Sequence, residues 1–144
     1  MGIAVTILGC HSATPRINAF PTSQYLAINN RHFLIDCGEG TQRQMRKYKV
    51  GFSKIDHIFI SHLHGDHYFG LIGLLSTMNL LGRVKPIQIY APKELETILG
   101  LQIEYDGSRM SYEIEFITTD PTREVVVMED DKVKVTSFPL AHKV

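Results

Sequence analysis

Residues 61–67 of this chain read SHLHGDH, and this short motif constrains the fold more than any other stretch. Three histidines and one aspartate fall within it. The apolar residues 58–60 precede the motif, and a run with helical spacing, residues 69–81, follows it. We therefore predict the motif at a junction between a buried strand and a helix, at the carboxyl edge of a sheet, where α/β folds place their chemistry.

The residue types of the motif indicate a metal site, because imidazole and carboxylate together suit zinc and its first-row neighbours. His62 and His64 are two residues apart, so in an extended segment both side chains point the same way and can reach one ion. Asp66 and His67 follow Gly65, where the chain can turn, and can face a second ion. Two adjacent ions form a known hydrolytic device. The alternative, chance surface histidines, is disfavoured because spacing and context agree.

Length and composition bound the remaining possibilities. We predict a single domain over residues 1–144, since this length is sufficient for one hydrophobic core. The formal net charge is +0, so any nucleic-acid partner would have to meet a local basic patch. Cys10 and Cys37 are too few for a disulfide framework and are expected as buried, reduced thiols. Without a recognisable signal peptide or spanning segment, we expect a cytoplasmic protein with no membrane partner.

Periodicity and turn residues predict strands first, then alternating strands and helices, then strands again. This order fits the α/β class, with a mixed sheet and helices packed on its exterior face. Predicted strands lie at residues 3–8, 25–28, 32–35, 54–60, 86–90, 112–118, 124–128 and 132–138, predicted helices at 42–48, 69–81 and 91–99, and a predicted loop at 105–111.

Individual turn and cap residues support these boundaries. Asn29 and Asn30 tolerate positive φ and predict a hairpin turn. Thr41 is expected to cap the helix that follows it. Gly82 and Gly100 are expected to end the two later helices.

Three groups of polar residues are compatible with either a functional or a structural role. Asp36, at a strand end, can orient a metal-bound imidazole or can be a turn aspartate. The basic residues of the predicted helix 42–48, with Lys49, can meet phosphates or can form a solvated face, and we weigh the two equally. His11 and the hydroxyls of residues 11–23 can line a site, although turn formation is the simpler role.

His142 lies just past the last predicted strand and is a weak signal alone. Beside His62 and His64 it would complete a set of three histidines on one zinc ion, with an open position for water. His32 and His57 fall within predicted strands, so we expect packed structural histidines there rather than ligands.

Four segments of the chain together resemble the ribonuclease Z family of the metallo-β-lactamase superfamily. The H-x-H-x-D-H pattern alone indicates only the superfamily, whereas DCGEGTQ and the closing HKV narrow the resemblance to this branch. Members of the family are endoribonucleases that remove the 3′ trailer from precursor tRNA. The resemblance extends over all 144 residues, and the segments that carry it are residues 9–15, 36–42, 61–67 and 139–144.

The resemblance implies a site with two zinc ions, held by His62, His64 and His142 on one ion and by Asp66 and His67 on the other. Asp66 would also be the catalytic proton acceptor, and Asp36 would hydrogen-bond to a ligating imidazole. Metal-activated water would attack the phosphodiester that follows the tRNA body and leave a 3′-hydroxyl. The implied substrate is precursor tRNA, and the implied assembly is a homodimer.

The resemblance also implies the αβ/βα sandwich of the metallo-β-lactamase fold, of which this chain would be the N-terminal half. In the family, a second half supplies a bridging aspartate, a closing histidine and an arm that grips tRNA. We therefore expect the isolated 144-residue chain to cleave poorly or not at all. The alternatives are another hydrolase of the superfamily, acting on a thioester, lactam or small phosphodiester, and a non-catalytic metal-binding fragment.

Overall fold

The chain folds around one mixed sheet, as a computed structural model of residues 2–14, 16–106 and 109–142 establishes, the side chain of Asp106 excepted. The predicted α/β class with a mixed sheet is confirmed. The strands are β1 (Ile3–Gly9), β2 (Ser23–Ile28), β3 (Arg31–Ile35), β4 (His57–Phe59), β5 (Ile87–Ala91), β6 (Ile114–Thr118), β7 (Val125–Glu129) and β8 (Lys134–Ser137). The helices are α1 (Thr41–Lys47), α2 (Gly65–Tyr68), α3 (Leu71–Leu80) and α4 (Glu94–Asp106), with a 3₁₀ turn at Phe52–Lys54.

The six strands β1 to β6 lie in the sheet in chain order, while β7 and β8 form a separate antiparallel hairpin. β1, β2 and β3 are antiparallel neighbours, whereas β3, β4, β5 and β6 run parallel. Ile35, the last residue of β3, pairs with Phe59, the last residue of β4. The segments that leave these two strands therefore emerge side by side at the carboxyl edge of the sheet.

The hydrophobic core lies between one face of this sheet and the helices. Leu34, Ile58 and Ile89 are in register on adjacent parallel strands and are each 0% exposed. Side chains at positions i, i+3, i+4 and i+7 of α3 cover them, which is the apolar stripe predicted from the sequence. The buried helix residues of this core are Met45, Leu71, Leu74, Leu75, Met78, Leu95 and Leu99.

The opposite side of β1 is apolar and exposed. Ile3, Val5 and Ile7 alternate along this edge strand and are 70%, 58% and 51% exposed.

Arg31 at the start of β3 forms ion pairs with Asp130 and Asp131, which ties the β7–β8 turn to the sheet. No helix among the described residues combines the length and hydropathy needed to cross a membrane.

Two predicted elements around the motif have different boundaries in the structure. The predicted strand 54–60 is only three residues long, His57–Phe59, and follows the 3₁₀ turn. The predicted helix 69–81 is shorter in the structure, where α3 spans Leu71–Leu80, and the short helix α2, which was not predicted, precedes it. Phe69 and Gly70 separate the two helices, and the Gly70 N–H donates to the Cys37 carbonyl at 2.9 Å.

The predicted end of α4 at Gly100 is wrong, since the helix continues to Asp106 through part of the predicted loop. Glycine costs about 1 kcal/mol in a helix interior. Leu95 and Leu99, one turn apart, are 0% and 1% exposed, and Ile103, one turn further on, is partly buried. The apolar stripe therefore continues past Gly100, and burial along it offsets that cost.

The hairpin turn is confirmed, since Asn29 and Asn30 have φ of 48° and 64°. Gly82, with φ of 78°, follows the end of α3 as predicted. The expected cap at Thr41 is wrong, because Gly40 precedes α1 without a side-chain cap and the Thr41 hydroxyl donates to the Gly38 carbonyl at 2.7 Å.

Candidate metal centre

The ends of β3 and β4 position the polar groups of the motif. Directly after β3, Asp36 adopts φ of 57°, an unusual conformation for a residue other than glycine. Its N–H donates to the Phe59 carbonyl at 2.7 Å, which fixes the turn against the end of β4. The Asp36 side chain is thereby directed at Ser61, the first residue of the motif.

Asp36 is the acceptor at the centre of a hydrogen-bond network and is only 5% exposed. Its Oδ1 accepts the Ser61 backbone N–H at 2.8 Å, and its Oδ2 accepts the Ser61 hydroxyl at 3.1 Å. The same Oδ2 lies 2.7 Å from Nδ1 of His67. A buried carboxylate with these partners holds both ends of the motif in one place.

His62, His64 and His142 converge, although 78 residues separate His64 from His142. His62 Nε2 lies 3.1 Å from His64 Nδ1, and His142 Nε2 lies 3.4 Å from the same atom. Ligating nitrogens of the three rings lie within 4.8 Å of one another. Two imidazole nitrogens on one tetrahedral zinc ion are about 3.3 Å apart, given Zn–N bonds of roughly 2.0–2.1 Å. The cluster therefore fits a single zinc ion.

Asp66 and His67 form a second, adjacent pair in α2, whose first residue is Gly65. Asp66 Oδ2 lies 3.6 Å from His67 Nε2, and the ring centroids of His62 and His67 are 3.9 Å apart. When His67 donates its Nδ1–H to Asp36, its Nε2 carries the free lone pair that a metal requires. The pair is thus suited to contribute two ligands to a second ion close to the first.

The electrostatic surroundings of His62 favour its neutral imidazole. Burial lowers the pKa of His62, and the neighbouring His67, His64 and His142 lower it further. Neutral imidazole is the form that binds metal, so this environment favours loading over protonation. The Cys37 thiol is buried, and burial raises its pKa to about 12, which keeps it protonated and unsuited as a ligand. The expectation that both thiols are buried is wrong for Cys10, which is exposed.

The loop after β3 lies in close contact with α2 and with Gly70, which follows α2. A Cβ at Gly70 would lie 2.1 Å from the Gly38 carbonyl oxygen, and one at Gly38 would lie 2.5 Å from the Asp66 carbonyl oxygen. The Cys37 N–H donates to the His67 carbonyl at 2.7 Å. The loop and the helix can approach this closely only because both residues lack a side chain.

An open groove of about 500 Å³ adjoins the pair in α2. Ser12 lines it, so the loop with a possible site role does reach the site, but His11 is not among the lining residues. Nε2 of His11 is buried without a hydrogen-bond partner among the described residues. Phe69, which is 64% exposed, also lines the groove. The lining residues are Ser12, Ala13, Pro21, Glu39, His64, Gly65, Asp66 and Phe69.

Sequence reasoning assigned no role to Ser61, although its hydroxyl also lies 3.1 Å from Nδ1 of both His62 and His67. Its position directly after an apolar run was the available signal. His32 and His57 are packed within the sheet, as expected. His32 contacts the Tyr25 hydroxyl at 2.5 Å, and His57 packs between aromatic rings. Pro15, Lys143 and Val144, which belong to the family-like segments, lie outside the described residues.

Comparison with known proteins gives two kinds of match. A family model described as "Anti-Pycsar protein Apyc1" matches residues 3–142. Ribonuclease Z of Parabacteroides distasonis is 46% identical over 140 residues, covering 97% of this chain and 46% of that protein. Ribonuclease Z of Porphyromonas gingivalis is also 46% identical, over 98% of this chain and 46% of that protein. The chain spans about half the length of the curated relatives that it matches.

Solved structures agree with these matches. The crystal structure of human tRNase Z, short form, aligns with a TM-score of 0.86 and 31% identity, covering 97% of this chain and 61% of that one. The metallo-β-lactamase fold protein YhfI from Bacillus subtilis aligns with a TM-score of 0.64 and 23% identity, over 85% of this chain and 48% of that one. The fold is therefore the metallo-β-lactamase fold.

Proposed function

The chain belongs to the family described as anti-Pycsar protein Apyc1 and is homologous to ribonuclease Z, and from these two facts we propose a function. We propose that this chain is the N-terminal half of a metal-dependent endoribonuclease that removes the 3′ trailer from precursor tRNA. The observation that carries this proposal is the 46% identity to P. distasonis ribonuclease Z over 97% of the chain. The convergence of His142 with the motif, 78 residues apart in sequence, supports it.

We propose that the resident metal is zinc, with two ions in the complete site. His62, His64 and His142 would hold one ion, and Asp66 and His67 would contribute to the other. When bound, the two ions would supply Lewis acidity toward a phosphodiester and lower the pKa of a water molecule.

Asp66 is the residue that we assign as proton acceptor. Its carboxylate is 15% exposed and lines the groove, so it can reach both a buried ligand position and a substrate. A carboxylate there can accept the proton of the attacking water as the bond to phosphorus forms. Asp36 acts one step further away, because it fixes the orientation of His67 through the 2.7 Å contact.

The ligand set of the second ion explains why we expect the isolated chain to be a poor catalyst. This chain contributes Asp66 and His67 to that ion, and zinc sites usually have at least three protein ligands. The exposed apolar strip of Ile3, Val5 and Ile7 supports the packing of a second layer on the sheet, as in an αβ/βα sandwich. We propose that the 144 residues are part of one such domain, in a cytoplasmic protein that forms homodimers.

A second candidate function is hydrolysis of a small phosphodiester by the same centre. The family model is compatible with it, since the description of that model names no ribonuclease. The metal cluster itself is compatible with both substrates, because the attack on phosphorus is the same.

A parallel assay on the full-length protein separates the two. Zinc-loaded protein would be given precursor tRNA with a 3′ trailer and, separately, 2′,3′-cyclic and 3′,5′-cyclic mononucleotides. The ribonuclease proposal predicts cleavage of the precursor at the end of the tRNA body, with slow turnover of the mononucleotides. Rapid turnover of a mononucleotide, with the precursor intact, would contradict the ribonuclease proposal and support the second candidate function.

A further inference from the structure

Basic residues are concentrated in one short segment of this chain, whose formal net charge is +0. Residues 42–55 contain five basic and no acidic residues, while the rest of the chain contains ten basic and fifteen acidic residues. The segment therefore carries a local positive charge that the remainder of the molecule balances. We call it the basic segment, and its charged residues are Arg43, Arg46, Lys47, Lys49 and Lys54.

The fold leaves all five of these charges exposed. In α1, Gln44 and Met45 are buried against the sheet and α3. Arg43, Arg46 and Lys47 follow the i, i+3, i+4 spacing that places residues on one side of a helix, and all three are exposed. Lys49 and Lys54 are exposed immediately after the helix. Arg43, Arg46 and Lys47 therefore form one basic face of α1, and two further exposed cations follow it in the chain.

These cations are not neutralised within the described part of the chain. None of the five has a carboxylate oxygen within 4.0 Å among the described residues, whereas cations elsewhere mostly do. The paired cations are Arg31, Arg83, Lys85, Arg123, Lys132 and Lys134. A surface that keeps its positive charge unpaired is suited to an anionic partner.

Aromatic rings lie among the charges. The Arg46 guanidinium carbon is 5.3 Å from the Phe52 ring centroid, and the Lys47 ammonium is 5.4 Å from the Tyr48 centroid. Tyr48 is 48% exposed. Cations that rest on rings lose less conformational freedom when they bind a phosphate, and basic residues interleaved with aromatics are typical of RNA-binding surfaces.

The basic segment begins beside the candidate site. Glu39, two residues before α1, lines the groove that Asp66 also lines. With a helix rise of 1.5 Å per residue, Arg43 to Lys47 lie on the order of 5–12 Å along the chain direction from that rim. We propose that this surface binds the phosphate backbone of the RNA substrate next to the scissile bond. The inference rests on the proposed function and names a substrate-binding surface for it.

Phosphate contacts of this kind are independent of base sequence and sensitive to salt. In the full-length protein, the triple variant Arg43→Gln/Arg46→Gln/Lys47→Gln should bind precursor tRNA about tenfold or more weakly. The slope of log affinity against log salt should fall by about 2–3, since each lost phosphate contact contributes roughly 0.7–0.9. A variant with three charges removed elsewhere, Lys93→Gln/Arg109→Gln/Lys132→Gln, should retain wild-type affinity and slope.

A small chromogenic phosphodiester, bis-p-nitrophenyl phosphate, separates this inference from the proposed function. Its hydrolysis should be unchanged in the triple variant, because the ester does not reach α1. If the triple variant loses that activity, the double variant Arg43→Gln/Lys47→Gln is used in its place, because it keeps the Arg46–Phe52 contact. The expected change in the salt slope is then about 1–2.

RNA affinity and salt slope equal to wild type in a variant that still hydrolyses the ester would overturn the inference while leaving the proposed function intact. Equal losses in the basic-segment variant and the control variant would also overturn it, since bulk charge would then explain the binding. Failure of the wild-type protein to bind precursor tRNA at all would remove the proposed function and this inference with it.

Discussion

Oδ2 of Asp36 lies 2.7 Å from Nδ1 of His67, so the turn after β3 holds a proposed ligand on α2. This contact joins residues 31 positions apart and is made by a carboxylate that is 5% exposed. Replacement of Asp36 by alanine should leave His67 and Ser61 without their shared acceptor. We expect zinc affinity in the full-length protein to fall about 10–100-fold, as for other groups that orient metal ligands.

The same substitution should lower the free energy of unfolding by about 1–3 kcal/mol, because Ser61 and His67 lose the buried carboxylate to which they donate. Zinc competition titration and urea unfolding of Asp36→Ala measure the two effects. Asp36→Asn is the matched control, since it keeps the size of the side chain and one acceptor oxygen. Wild-type zinc affinity in Asp36→Ala would contradict the orienting role.

His64 is predicted to be indispensable for the three-histidine site, because its Nδ1 lies within 3.4 Å of both neighbouring imidazole nitrogens. His64→Ala in the full-length protein should reduce bound zinc, measured by elemental analysis, and reduce turnover with it. His32→Gln is the control, since His32 contacts Tyr25 on β2 and lies outside the cluster. Unchanged zinc content in His64→Ala would end the ligand assignment.

Asp66→Ala should reduce turnover of precursor tRNA at least as much as His64→Ala, because it removes a ligand and the proton acceptor together. The expected loss is at least about 10²-fold, which is the lower range for a general base alone. Single-turnover cleavage at saturating protein is the measurement, since it reports the chemical step. Turnover at the wild-type rate would exclude Asp66 from both roles.

Gly70→Ala should be strongly destabilising, because the new Cβ would meet the Gly38 carbonyl oxygen at 2.1 Å. The loop and α2 would have to separate, with an expected cost of about 2 kcal/mol or more in the free energy of unfolding. Gly100→Ala is a control with the opposite expected sign, since no heavy atom lies within 4 Å of its Cβ position. It lies inside α4, where alanine should stabilise by about 0.5–1 kcal/mol. Equal effects of the two substitutions on urea unfolding would contradict the interlock.

His57 predicts a pH dependence of stability. Burial lowers its pKa below 6.5, as does Lys85, while Asp56, Asp130 and the hydrogen bond to Gln88 act in the opposite direction. The unfolded chain therefore binds this proton more readily than the folded chain, so stability falls as pH drops through about 6.5 toward the folded pKa. His57→Gln should reduce the loss between pH 7.5 and 5.5 in urea unfolding of the chain. An identical pH dependence in both proteins would exclude this contribution.

The sequence was most informative where local chemistry and periodicity coincide. The Asn29–Asn30 turn and the α3 stripe were predicted because each depends on neighbouring residues alone. The sequence does not predict the continuation of α4 through Gly100, because the packing of Ile103 beyond Leu95 and Leu99 is a tertiary effect.

The same distinction applies to the site. The spacing of His62 and His64 indicates a shared ion. Their approach to His142 depends on the tertiary placement of a segment that lies 78 residues beyond His64 in the sequence. The role of Ser61 depends on the parallel register of β3 and β4, which brings it to Asp36. No pattern in the sequence encodes that register directly, so the part of Ser61 in the hydrogen-bond network could not be predicted.

The most direct test of the central claim is a crystal structure of the full-length protein grown with zinc, with anomalous differences measured on both sides of the zinc absorption edge. We expect two zinc peaks, one within bonding distance of His62, His64 and His142 and the other within bonding distance of Asp66 and His67. Asp36 should contact His67 and neither ion. An anomalous map without a peak among the three histidines, at full zinc loading of the crystal, would contradict the account.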